Sequence, residues 1–170
     1  MGNVRSLANK TDELAALIKT QREFGESSLL CFTETWLHSH IPDHSVAAPG
    51  FLTVRADRDF NVSGKKKGGG IAMYVSERWC NPRHVCIKER LCSPDIELLA
   101  VGLCPYYLPR EFTSAIVITI YIPPSADREA AADVINTTVS RLQTQEPNAF
   151  VVTNGDFNHV MLDCSLPGFT

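Results

Sequence analysis

Short apolar runs, separated by polar and glycine- or proline-containing stretches, dominate the chain. Ser28 to Thr33 (Ser-Leu-Leu-Cys-Phe-Thr) is a continuous apolar run that stops at a charge, the pattern of a strand buried on both faces. Gly70 to Val75, Ile96 to Leu103 and Ala115 to Ile122 also read as strands, the last rich in β-branched residues. Phe51 to Val54 is a weak strand, His84 to Lys88 is a further strand, and Phe150 to Thr153 is the last clear one. Helical spacing occurs twice. In Asn9 to Phe24, Leu14, Leu17 and Ile18 form one stripe, Thr11-Asp12-Glu13 suits the positive end of a helix, and Gly25 closes it. A second helix follows the Pro123-Pro124 stop, capped by Ser125 and running to about Gln145, with Val134, Ile135, Thr138 and Leu142 facing inward. Leu37 to Gly50 has no periodicity and predicts a loop, Asp57 to Gly69 a polar turn region, and Ser93-Pro94-Asp95 a tight turn. Helix, several strands in succession, then helix and strand predict a layered α/β (α+β) sandwich rather than a doubly wound parallel sheet.

The length of 170 residues suits one domain with a single sizeable core. With 44 % hydrophobic and 21 % charged residues, the composition is that of an ordinary folded protein and excludes wholesale disorder. A formal net charge of −3 argues against coating nucleic acid by bulk charge, while leaving room for a local patch that grips a few phosphates. The 6 cysteines lack the spacing of a zinc site or disulfide framework, and read as reduced thiols of an intracellular protein, Cys31 buried. Met1 to Lys10 has no apolar segment of the signal-peptide kind, and Ala115 to Ile122 is too short to span a bilayer, so neither secretion nor a membrane anchor is expected.

Candidate chemistry recurs at strand ends. Glu34 follows Leu-Leu-Cys-Phe-Thr, Tyr121 closes Ile-Val-Ile-Thr-Ile, and Asp156 and Asn158 follow Val-Val-Thr-Asn-Gly. Side chains on such a rim can converge on one cleft. Singly, Glu34 reads more readily as a turn residue and Tyr121 as a strand aromatic. Gly155-Asp156-Phe157-Asn158 is more specific: glycine allows a sharp turn, and residues two apart on an extended segment point the same way. A carboxylate beside an amide suits the handling of a water and a phosphate oxygen.

Five segments in order carry a resemblance. They are Asn3 to Leu7, Cys31 to Leu37, Gly68 to Val75, Ile120 to Pro124 and Gly155 to Asn158. Together they resemble the endonuclease/exonuclease/phosphatase (DNase I-like) superfamily across nearly the whole of residues 1–170, and look most like the endonuclease domain of a vertebrate LINE-type (non-LTR) retrotransposon. The resemblance implies two β-sheets flanked by helices and a Mg²⁺-dependent phosphodiesterase, with Mn²⁺ as a substitute ion and DNA as the substrate of the intact domain. It implies that Glu34 binds the metal, Asn3 organises the acidic cluster, Tyr121 contacts the scissile phosphate, Asp156 positions or deprotonates the attacking water, and Asn158 hydrogen-bonds the phosphate. A DNA substrate would place the protein in the nucleus.

Two departures follow from the same comparison. The family completes its site with a later Asp and a C-terminal Ser-Asp-His element, which His159 to Thr170 do not supply; His159 reads as a neighbour of the motif rather than a substitute. Met1-Gly2 stands where the family has a first buried strand, so Asn3 is expected on a frayed terminus. The expectation is therefore an incomplete domain with negligible activity on its own, a retroelement remnant. A phosphatase or lipid phosphodiesterase of the same superfamily is the other alternative. Lys65-Lys66-Lys67 reads either as a solvated hairpin tip or as a contact to a nucleic-acid backbone. His38, His40 and His44 lie in a proline-containing loop without a supporting carboxylate, which argues against a transition-metal site. Gly68-Gly69-Gly70 lacks the Lys-Ser/Thr of a phosphate-binding loop and precedes a strand, so nucleotide binding is not expected.

Overall fold

The computed structural model describes residues 1–64 and 68–158. Lys65 to Lys67, His159 and the rest of the C-terminal segment, Cys164 included, lie outside the described residues.

Strands β1 (Gly2–Asn3), β2 (Leu29–Thr33), β3 (Phe51–Ala56) and β4 (Ile71–Ser76) form a first sheet, in the order β1-β2-β4-β3. Strands β5 (Cys80–Cys92), β6 (Glu97–Pro105), β7 (Ser114–Tyr121) and β8 (Ala149–Asp156) form a second, in sequence order. Each sheet has one parallel pair, β1 with β2 and β7 with β8, and the other neighbours are antiparallel. The two-residue alternation of strand side chains sorts the core into layers. In β4, Ile71, Met73 and Val75 point into a core shared with Leu99, Val101, Ala115 and Val117 of the second sheet. Ala72 and Tyr74 point the other way, onto Leu14 of helix α1 (Thr11–Thr20) and the loop residues Leu37, Val46 and Ala48. In β7, Ile116, Ile118 and Ile120 pack on Ala131, Ile135, Val139 and Leu142 of a long helix, Arg128–Gln145. The result is a helix–sheet–sheet–helix sandwich, in keeping with the layered α/β (α+β) expectation, and β4, β6 and β7 are largely apolar because both their faces are covered.

Several boundaries differ from expectation for identifiable reasons. The first helix breaks at Gln21, whose backbone is extended (φ −109°, ψ 118°), so that α2 (Arg22–Gly25) is a separate turn. A single helical turn α3 (Phe60–Ser63), capped by Asp59 on the amide of Asn61, interrupts the polar stretch before the glycine run. The long helix, α4, starts at Arg128 and not after Ser125: the Asp127 carboxylate is the cap, accepting from the amides of Glu129 and Ala130. Its buried stripe includes Ala131 and Val139, with Val134 only partly covered. Strand β5 runs far beyond His84 to Lys88, because pairing with β6 carries polar residues along a sheet edge through an irregularity near Ile87 and Glu89. Strand β8 extends to Asp156, so the Asp lies at the last position of the strand rather than beyond it. The N-terminus is not frayed: Gly2 and Asn3 pair in parallel with Phe32 and Thr33, and the Val4 amide continues to the Thr33 carbonyl at 3.0 Å.

Candidate functional site

The C-terminal ends of β2, β7 and β8 meet at one rim of the cleft between the sheets. Past Thr33 the chain leaves the sheet through two left-handed residues, Glu34 (φ 57°) and Trp36 (φ 56°). Such conformations cost side chains of this size on the order of 1 kcal/mol each and persist where the surroundings over-determine them. Here they do so from both sides. The amides of Ser6 and Leu7 donate to the carbonyls of Glu34 (2.9 Å) and Thr35 (2.8 Å), and the Trp36 amide donates to the Gly69 carbonyl at 2.9 Å.

The Glu34 carboxylate is held as firmly as its backbone. Oε2 accepts from the Trp36 indole Nε1 at 2.5 Å and from the Gly69 amide at 3.1 Å, and the Tyr121 hydroxyl also donates to this side chain. Burial alone would raise its pKa, but donors Tyr121, Trp36 and Gly69, with the Arg58 charge nearby, outweigh burial and leave the carboxyl below the ordinary value. Tyr121 moves the opposite way: burial and then the Glu34 carboxylate push its hydroxyl well above the usual tyrosine range, so it remains a donor. Gly69 suits this position because its φ of 72° strains any side chain and a Cβ would lie 2.2 Å from Cζ of Arg58, forcing the guanidinium to shift.

Asp156 stands directly across the parallel ladder from Tyr121. Its Oδ2 accepts from Nδ2 of Asn3 at 3.1 Å, and its Oδ1 from the Asn158 amide at 3.3 Å. The register depends on Gly155 (φ 150°), where a Cβ would stand 1.9 Å from the Ile120 carbonyl oxygen. Asn158, left-handed at φ 47°, donates from Nδ2 to the Ile122 carbonyl at 2.5 Å, which fixes its side chain while leaving a second N–H available. Asn3, Glu34, Tyr121, Asp156 and Asn158 thus occupy one rim, the first four joined by two hydrogen bonds and one strand pairing.

Sequence reasoning missed two residues beneath this rim. Arg58 and Glu97 are both buried and form an ion pair, while Oε2 of Glu97 accepts from the Gly70 amide at 2.6 Å. Cζ of Arg58 lies 5.7 Å from the centre of the Tyr121 ring, and Glu97 faces Tyr121 across the β6–β7 ladder. Burial lifts the Glu97 carboxyl above its ordinary value, against the downward pull of the Gly70 amide and Arg58. A glutamate inside the apolar run Ile96 to Leu103 was the available signal, because an ionisable residue in a doubly covered strand calls for a partner.

A divalent ion of the Mg²⁺ class takes oxygen ligands, keeps several waters and often needs only one or two carboxylates. The rim fits that demand: an ionised Glu34 carboxylate, the free amide oxygen of Asn3 and the Asp156 carboxylate are all oxygen donors. Among the described residues no three His, Cys, Asp or Glu side chains gather as a metal-binding set, and the rings of His38 and His40 merely lie 5.6 Å apart at a tilt. Cys31, Cys80, Cys86, Cys92 and Cys104 are free thiols, and no described helix is long and apolar enough to cross a membrane.

No protein-family model and no curated protein matches the chain. Solved structures do match in shape. An AP endonuclease from Leishmania major superposes with a TM-score of 0.65 at 16% identity, over 91% of this chain and 53% of its own. ANGEL2, a 2',3'-cyclic phosphatase captured with adenosine-2',3'-vanadate, gives 0.60 at 16% identity, over 92% and 52%. The human Nocturnin catalytic domain with bound sulfate gives 0.56 at 14% identity, over 95% and 63%. The chain therefore spans roughly half to two thirds of the length of these proteins, and at such identities the likeness establishes the DNase I-like fold.

Proposed function

We propose that this rim is the metal- and water-handling part of a phosphodiesterase site, of the DNA-endonuclease type carried by LINE-type retrotransposons. The supporting observation is the gathering of Asn3, Glu34, Tyr121 and Asp156, distant in sequence, around one opening at the strand ends. Glu34, with Asn3 and Asp156 beside it, would hold Mg²⁺ or Mn²⁺. When bound, the ion supplies polarisation of a phosphoryl oxygen and stabilisation of the leaving oxyanion. Asp156, oriented by Asn3 on one oxygen and by the Asn158 amide on the other, accepts a proton from the attacking water. Tyr121, kept protonated beside Glu34, would turn its single O–H from Glu34 toward a phosphate oxygen when substrate is present, and the second N–H of Asn158 would donate there as well.

The whole-domain activity is tested with a fusion that appends the family's Ser-Asp-His segment. That protein is expected to nick supercoiled plasmid in Mg²⁺, and Asp156→Ala to remove the activity; equal rates in both would refute the assignment. Residues 1–170 by themselves are expected to turn over negligibly, which robust metal-dependent nicking by the purified chain would overturn. The shape likeness to a 2',3'-cyclic phosphatase supports a second reading, a small phosphoester substrate. A panel of abasic DNA, intact DNA, cyclic nucleotides and inositol phosphates separates the two by which substrate responds to Mg²⁺.

A further inference from the structure

Arg58 is an unexpected neighbour for a cation site. Its guanidinium is buried, with a side-chain exposure of 4%. A Cβ built on Gly68 would stand 3.3 Å from Oε2 of Glu34 and 3.5 Å from Nη1 of Arg58, so the two charges face each other across a single glycine. A divalent cation brought to Glu34 would meet that positive charge in a poorly screened environment, where repulsion is several times its value in water. Glu97 lies on the other side of the guanidinium, equally buried, paired with Arg58 and fixed by the Gly70 amide at 2.6 Å.

We propose that Glu97 is a charge-compensating residue for the cation site: by neutralising Arg58, it lets Arg58 brace Tyr121 and the glycine run without repelling a divalent ion from Glu34. The inference rests on the cation-binding reading of Glu34. Several features of the packing agree with it. Arg58 lies over the Tyr121 ring and fills the space that a side chain at position 69 would take. Its charge helps to hold the Glu34 carboxyl low. A strand-buried glutamate serves no packing purpose that a leucine would not serve better, and buried ion pairs are commonly no more stabilising than apolar residues of the same volume. The pair therefore calls for a role other than stability, and the charge at the rim supplies one.

The test measures Mn²⁺ affinity by electron paramagnetic resonance on residues 1–170, with thermal unfolding in parallel. Glu97→Gln keeps the acceptor for Gly70 but removes the negative charge, and is expected to weaken Mn²⁺ binding by about tenfold or more. Neutralising both partners, Arg58→Gln with Glu97→Gln, is expected to restore the affinity to within about twofold of the parent. Equal affinities in the single and double variants would overturn the proposal. Arg58→Gln alone gives the reciprocal arm should Glu97→Gln not fold: affinity unchanged or tighter supports compensation, and weaker binding shows that Arg58 acts through structure only, which overturns it. Glu34→Gln distinguishes the two levels. If it leaves Mn²⁺ binding intact, the reading of the site fails, whatever the Glu97 variants do.

Discussion

Strands β2, β7 and β8 run between two very different ends of the same sandwich. At their starts, Leu29, Ala115 and Phe150 line an apolar cavity of about 440 Å³ with Trp79, Tyr107 and Phe112. At their finish, Glu34, Tyr121 and Asp156 form the polar rim, where the chain adopts left-handed turns and every side chain has an assigned donor or acceptor. Between them, β2 and β7 are largely apolar and buried, and β8 is half-buried. The difference lies in constraint. The apolar end presents surfaces such as Tyr107, 86% exposed, whereas at the polar end backbone strain and two glycines in positive-φ conformations fix a few atoms. Rigidity concentrated at one rim of a uniform scaffold is the physical mark of a site.

Perturbing each region separately should expose that contrast. The largest effect is expected from Asp156→Ala in the active fusion: a loss of about a thousandfold or more in phosphodiester cleavage, with little change in the urea midpoint, because the carboxylate is partly exposed and no core group loses a partner. A midpoint shift large enough to account for the loss would return Asp156 to a structural role. Ile118→Ala, in the shared interior, should destabilise by about 2–5 kcal/mol and act on both ends alike, so that activity tracks the folded fraction in urea titrations.

A smaller effect comes from pH. Burial pushes the Tyr74 hydroxyl, which donates to the Val46 carbonyl at 2.6 Å, up from 10.0 to about 12, with Arg55 opposing. The native state then keeps a proton that the unfolded chain releases, so this stabilisation is complete below pH 10 and is lost as pH rises toward about 12. Unfolding midpoints should fall across that window, and Tyr74→Phe should flatten the fall; an unchanged slope in the variant assigns it elsewhere. The smallest effect is expected at the apolar end, where Tyr107→Ala should change stability by less than about 0.5 kcal/mol and leave the rim untouched.

How much was legible in the sequence follows the same division. The strands covered on both faces stood out as largely apolar runs, because such coverage leaves little room for polar residues: β4, β6 and β7 are the instances, with the buried Glu97 the charged exception. Strand β5 was read short since an edge strand tolerates Arg83, Lys88 and Arg90, and only its pairing with β6 reveals its length. Ser125 and Asp127 are both competent caps, and the choice depended on where the backbone turned after Pro124. At the site, Glu34, Tyr121 and Asp156 could be placed at strand ends, but their convergence needed the ordering of both sheets. Arg58 stayed hidden in a Lys- and Gly-rich turn region, where a buried guanidinium has no local signature.

The two tryptophans report on the two ends independently. The Trp36 indole N–H donates to Glu34, while Trp79 lines the apolar cavity. Titrating Mn²⁺ into ¹⁵N-labelled residues 1–170 should broaden the Trp36 indole resonance at substoichiometric metal and leave that of Trp79 sharp. Equal broadening of both, or loss of the Trp79 signal first, would contradict a divalent-cation site at the Glu34 rim.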